Sequence, residues 1–162
     1  MGGDDELPTV RKVSAFITRG SQLMVFRKPY HPGTGTQVPA GTIEPGETPE
    51  HAVLREAQEE TGLAGFTLHE LLDHRLIDMR PYGRDEIHDR WSYHLSAPCT
   101  VPRTWRHGES HPSSGPDRFI PFDFFWIDIQ RARGELREDD HSALAVLQQL
   151  PGETSDSLRP DR

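Results

Sequence analysis

The chain has 162 residues, 33% hydrophobic and 27% charged, with 26 Asp and Glu against 18 Lys and Arg for a formal charge of −8. That length supports one domain closing a single core, the acidity argues against a broad basic surface for nucleic acid, and no apolar run reaches the roughly 18 residues of a membrane span. The single cysteine, Cys99, excludes an internal disulfide, and no Cys/His spacing resembles a zinc site.

The opening stretch "MGGDDELPTV" is acidic and polar, without the basic-then-apolar order of a secretion signal, so the expected location is cytoplasmic. Residues 1–8 read as a flexible tail ahead of one domain over 9–150. "VSAFITRG" and "QLMVFRK" are short, rich in β-branched and aromatic residues and separated by Gly20 and Ser21, which predicts a β-hairpin. "PYHPGTGTQVPAG" reads as a loop; its "GTGT" lacks the Gly-Lys-Ser/Thr of a phosphate loop. Thr48 before Pro49 supplies a hydroxyl cap and a proline at the first helical position, and Gly62 supplies a stop, so a helix is predicted over 49–61.

"FTLHELLDHRLID" reads as extended. In "RWSYHLSA", Trp91, Tyr93, Leu95 and Ala97 alternate with Arg90, Ser92, His94 and Ser96, the period of a strand with one buried face. Cys99 follows a proline at the end of that strand and is expected as a small buried thiol. A long Pro/Gly/Ser/His-rich loop is then expected up to "FIPF". "FDFFWIDI", apolar on both faces, predicts a covered strand, and "DDHSALAVLQQL" predicts an amphipathic helix burying Leu144, Leu147 and Leu150. Residues 151–162 read as a disordered tail.

On the helix over 49–61, at about 3.6 residues per turn, Glu56, Glu59 and Glu60 fall within an arc of roughly 100°, with Val53, Ala57 and Thr61 turned the other way. Such an acidic stripe is often a solvated face. Held together under partial cover, the carboxylates would repel one another unless a cation neutralised them, and a hard divalent ion with a preference for oxygen does so. Nine scattered histidines show no helical His-Glu-x-x-His order.

The full spacing narrows the choice. Gly41, Glu47, Arg55-Glu56, Glu59-Glu60, Gly62 and apolar Leu63, in "GTIEPGETPEHAVLREAQEETGL", resemble the signature of the Nudix hydrolases (MutT-like) across residues 41–63. Ala57 is smaller than the aliphatic residue often found at its position. The resemblance implies an α/β/α sandwich with a mixed β-sheet. It also implies Mg2+, or Mn2+ in its place, held by Glu56, Glu59, Glu60 and the carbonyl of Gly41, with Arg55 orienting the carboxylates, Glu47 bracing the loop and Gly62 structural. Glu109, ahead of the last long strand, is a further expected ligand or base, with Glu56 as the rival base. A homodimer is compatible with the resemblance.

The implied activity is hydrolysis of a diphosphate bond in a nucleoside diphosphate linked to another moiety. ADP-ribose-like compounds, dinucleoside polyphosphates and nucleotides all remain open as the substrate. The alternative is a Nudix-fold module that binds or senses a nucleotide without cleaving it; a structural domain with an acidic helix is a third reading. Arg27, Lys28, Arg75, Arg90 and Arg106 are candidate phosphate contacts. Among Trp91, Tyr93, Trp105 and Phe122, Trp105 in the expected loop is the one placed nearest a ligand, where it could stack on a base.

Overall fold

Along the chain run β1 (Thr9–Arg19), β2 (Gln22–Arg27), β3 (Ala40–Thr42), α1 (Pro49–Thr61), β4 (Thr67–Asp78), β5 (Ile87–Ser96), β6 (Trp105–Ser110), β7 (Phe119–Asp128) and α2 (His141–Gln149). The computed structural model describes residues 6–110 and 119–151, the side chains of 109 and 110 excepted. Most of both expected tails, 1–5 and 152–162, lies outside the described residues, as does 111–118 of the expected long loop.

Alternation along the first two strands decides the layering. On β1, Val13, Ala15 and Ile17 turn to one face and Phe16 and Thr18 to the other, all at 2% exposure or less. β2 sends Met24 and Phe26 to the first face and Leu23 and Val25 to the second. A sheet apolar on both faces needs a layer on each. The first cluster packs under α1 through Ala52, Val53 and Ala57, and the second under α2 through Ala143, Leu144 and Leu147. Each large side chain fully buried this way contributes roughly 1.5 to 3 kcal/mol.

The strands lie in the order β4-β5-β1-β2-β7-β6, with β3 also paired to β1. β1 and β5 are parallel and the other pairings antiparallel. The result is an α/β/α sandwich on a mixed sheet. Gly20, with φ of 62°, turns the predicted hairpin between Arg19 and Gln22.

Three local expectations need correction. β5 is covered on both faces, because it lies inside the sheet between β4 and β1; Ser92 and His94 are buried along with Tyr93 and Leu95. His94 meets this burial with hydrogen bonds to Thr18 Oγ1 at 2.9 Å and Glu70 Oε1 at 3.3 Å. The expected loop after β5 contains β6, paired with β7 from Trp105↔Phe124 to Ser110↔Phe119. Cys99 is exposed in the turn after β5 rather than buried.

Candidate active site

Helix α1 is fixed at both ends, close to its acidic face. Thr48 Oγ1 accepts from the N–H of His51 at 3.1 Å, and Gly62 ends the helix at φ of 76°. The three carboxylates are graded in exposure rather than equally open. The Glu59 side chain is 60% exposed and that of Glu56 14%. Glu60 is buried, its Oε1 accepting from the N–H of Ala40 on β3 at 3.1 Å. It stands at the border between the acidic and apolar stripes, where the helix meets the sheet.

Glu56 lies directly over Gly41. A Cβ at position 41 would stand 1.9 Å from the Glu56 carboxyl carbon and 2.3 Å from each of its oxygens. The backbone at Gly41 has no positive φ, so glycine is required there for space alone.

Arg55 ties these pieces together. Its Nε and Nη2 donate to the two oxygens of Glu47 at 2.6 and 2.9 Å, its Nη1 to Glu56 at 2.9 Å and Glu59 at 3.2 Å, and its Nη2 also to the carbonyl of Thr42 at 3.0 Å. A guanidinium has five N–H donors, and all five are used. Arg55 thus links Glu47 in the loop to Glu56 and Glu59 on the helix, with one cation offsetting three carboxylates. Among the described residues, no three His, Cys, Asp or Glu side chains converge on one point; the acidic groups are instead shared out by Arg55.

The Arg55 hydrogen bonds, helped by the N–H of Glu44, hold the Glu47 carboxyl down at about 2 against an ordinary 4.5, and Glu47 in turn raises Arg55. An acid whose folded pKa is depressed stabilises the fold above its unfolded pKa and ceases to do so as pH falls through the folded value. Glu47→Gln is therefore expected to lower stability at neutral pH, with its deficit against the native chain closing as pH falls from 4.5 to about 2. Denaturant unfolding across that window checks this; a deficit independent of pH would show that the carboxylate charge is not what braces the loop.

Other sequence candidates separate. Arg27 pairs with Glu135 at 3.2 Å and lies over the Phe125 ring. Arg75 and Arg106 pair with Asp73 and Asp123, both at the protein surface. Trp105 is stacked on Phe124 at 4.9 Å and donates to the carbonyl of Thr61 at 3.0 Å, which makes it a support for the end of α1. Two residues further on, His107 Nδ1 bonds the carbonyl of Glu60 at 3.0 Å. Glu109 belongs to the same strand, paired with Ile120, and not to a loop.

A cleft of about 430 Å3 opens beside Ala40, Gly41 and Glu60. Arg27 and Trp105 do not line it, whereas the candidates Lys28, Arg90 and Phe122 do. So do Lys12, Arg84, His88 and Arg137, which sequence reasoning missed. Lys12 donates to Thr42 Oγ1 at 2.8 Å, and burial together with the charge of Arg84 lowers its pKa. These residues come from β1, the β4–β5 turn, β5 and the segment before α2, and no local pattern connects them. Hard oxygen donors beside a cation-lined cleft can receive a divalent ion and a phosphate ester together.

Comparison with known proteins places the chain. A family model described as NUDIX domain matches residues 8–149. ADP-ribose pyrophosphatase of Bacillus subtilis (strain 168) is 46% identical over 82 residues, 49% of this chain and 42% of that protein. The 8-oxo-dGTP diphosphatase of Escherichia coli (strain K12) is 46% identical over 50 residues, 30% of this chain and 39% of that protein. The chain thus spans about two fifths of the length of these curated relatives. In fold it is similar to the MutT protein from Methanosarcina mazei Go1, with a TM-score of 0.63 at 15% identity over 89% of this chain and 96% of that one.

Proposed function

The chain belongs to the Nudix hydrolase family, and from that premise we propose that it is a divalent-metal-dependent pyrophosphohydrolase acting on a nucleoside diphosphate linked to another moiety. The observation that carries this reading is the seating of Glu56 on Gly41 and of Glu60 on the N–H of Ala40, at the edge of the cationic cleft. Glu56, Glu59, Glu60 and the carbonyl of Gly41 offer oxygen alone, a donor set that fits Mg2+ or Mn2+ and does not favour softer ions. A side chain at 41 would fill the space that the Glu56 carboxylate needs, so the glycine fits the same reading.

A divalent ion, when bound, supplies charge against that building on the phosphoryl oxygens and makes water a better nucleophile. The chain's own groups do the rest. Glu60 is held by β3, Glu56 by Gly41 and Arg55, and Glu59 by Arg55 with room to swing, so the ligand set is positioned from two rigid elements. Water adds its oxygen to one phosphorus and the bond from that phosphorus to the bridging oxygen breaks. The proton released passes to a carboxylate, Glu109 or Glu56, and then to solvent.

Product release from a panel of nucleoside diphosphate derivatives, assayed with and without magnesium, tests the proposal. Magnesium-dependent cleavage is expected; binding without cleavage would favour the nucleotide-binding module instead. Glu109→Gln assigns the proton. A fall in turnover of roughly 100-fold or more at saturating magnesium is expected if Glu109 accepts it, and near-normal turnover removes Glu109 and leaves Glu56.

A further inference from the structure

The cleft is charged against the trend of the molecule. On a chain with a net charge of −8, five Lys and Arg side chains line it, and only two carboxylates, Glu60 and Asp139. Glu60 belongs to the proposed metal-ligand set. Asp139 is engaged, its Oδ2 accepting from the hydroxyl of Tyr82 at 2.9 Å.

The five cations divide by what they already contact. Arg84 pairs with Glu86 at 3.3 Å, and Arg90 donates to the carbonyl of Asp139 at 3.1 Å with Asp140 at 3.6 Å. Those two are substantially compensated. Lys12 donates to the hydroxyl of Thr42 and lies within the field of Glu86 and of two carboxylates of the proposed metal-ligand set, Glu56 and Glu60, without a direct ion pair among the described residues. Lys28 sits over the ring of Phe122 at 5.5 Å, and neither it nor the guanidinium of Arg137 makes an ion pair among the described residues.

Three positive charges that line one concave wall attract anions more strongly than the same charges on a convex surface. A divalent ion held by Glu56, Glu59 and Glu60 would meet the charge of the scissile diphosphate there. Lys12, Lys28 and Arg137 are then left over, and they arrive from three separate elements. Lys12 lies opposite Thr42 in the β1–β3 register, Lys28 follows the end of β2, and Arg137 follows Leu136, which bridges Thr36.

We propose that Lys12, Lys28 and Arg137 form an anion subsite for a phosphate beyond the scissile diphosphate, so that the preferred substrates are nucleosides bearing a chain of three or more phosphates. This rests on the reading of the ridge as a hydrolytic site, and the chemistry of cleavage is the same P–O–P hydrolysis. A substrate whose second moiety is an uncharged sugar leaves the three cations unmatched.

The test compares kcat/KM of the full chain, with magnesium, on a nucleoside triphosphate, a dinucleoside tetraphosphate and ADP-ribose. The native chain is expected to prefer one of the first two over ADP-ribose, the triphosphate if the subsite takes a terminal phosphate and the tetraphosphate if it takes an internal one. Lys28→Gln combined with Arg137→Gln is expected to lower that preference by at least about tenfold, mainly through KM. Arg106→Gln, at the exposed Asp123 pair, serves as the control. A preference for ADP-ribose, or a ratio unmoved by the double substitution, overturns the proposal.

A binding measurement separates this from the hydrolytic reading. Without divalent ions, inorganic tripolyphosphate should bind the native chain at least about tenfold more tightly than the double variant. If no substrate is cleaved but this difference appears, the hydrolase reading fails and the subsite stands. Equal binding by both proteins sinks the subsite whatever the activity.

Discussion

Replacing Glu60 by Gln is expected to lower turnover by roughly 1000-fold while leaving the fold intact. The side chain is 6% exposed, and its Oε1 accepts from the N–H of Ala40 at 3.1 Å. An amide of the same size retains the carbonyl acceptor for that N–H and keeps the packing between α1 and β3. What it loses is the charge. The amide can no longer set a full negative charge against a divalent ion, and in the reading proposed above that charge is what the ridge supplies. The expected signature is a collapse of kcat with the thermal midpoint moved by a few degrees at most. Magnesium should also stabilise the native chain against heat more than the variant, since ligand binding to the folded state alone raises its stability. Turnover within tenfold of native would remove Glu60 from the site and with it the central part of the proposed chemistry.

What could be read without coordinates was local. The bounds of α1 follow from Thr48, Pro49 and Gly62, each of which acts within its own turn, and the acidic stripe follows from helical spacing on that one element. The alternation in β5 identified a strand but not its place in the sheet. Whether Ser92 and His94 face water depends on β4, β1 and α2, and the partners that make His94 tolerable, Thr18 and Glu70, lie 76 and 24 residues away. β6 hides in a Pro/Gly/Ser composition because pairing with β7, and not its own propensity, makes it a strand. β3 is three residues long, too short for any periodicity, yet it sets the position of both Glu56 and Glu60.

The same contrast runs through the site. Glu47, Arg55 and the helix carboxylates lie within one short segment, so their spacing could point to their meeting. Arg27 and Lys28 are adjacent in sequence, yet Arg27, the last residue of β2, turns to Glu135 and Phe125 while Lys28 lines the cleft; which of them enters it is fixed by where β2 ends. Lys12 and Arg137 are joined to the cleft only by tertiary structure, and their charges are indistinguishable in sequence from those of Arg75 or Arg106, which end in surface pairs.

Gly41→Ala is expected to cost roughly 100-fold in kcat/KM, the penalty of a reacting group misplaced by about an ångström. The added Cβ would stand 1.9 Å from the carboxyl carbon of Glu56, and no such contact can persist. The atoms in the way are the end of a flexible side chain, so the carboxylate moves and the backbone need not. The displaced group leaves its place on β3 and loses the 2.9 Å bond from Arg55, so the geometry changes while the fold survives. Gly33→Ala is the matched control, with nothing within 4 Å of the new atom and no positive φ; it should leave activity unaltered. The cause is isolated by a double-mutant cycle. If alanine at 41 acts by expelling Glu56, it should add almost nothing in a Glu56→Ala background, and the two losses should be strongly non-additive. Additive losses would mean that Gly41 serves the reaction by some route other than making room for that carboxylate.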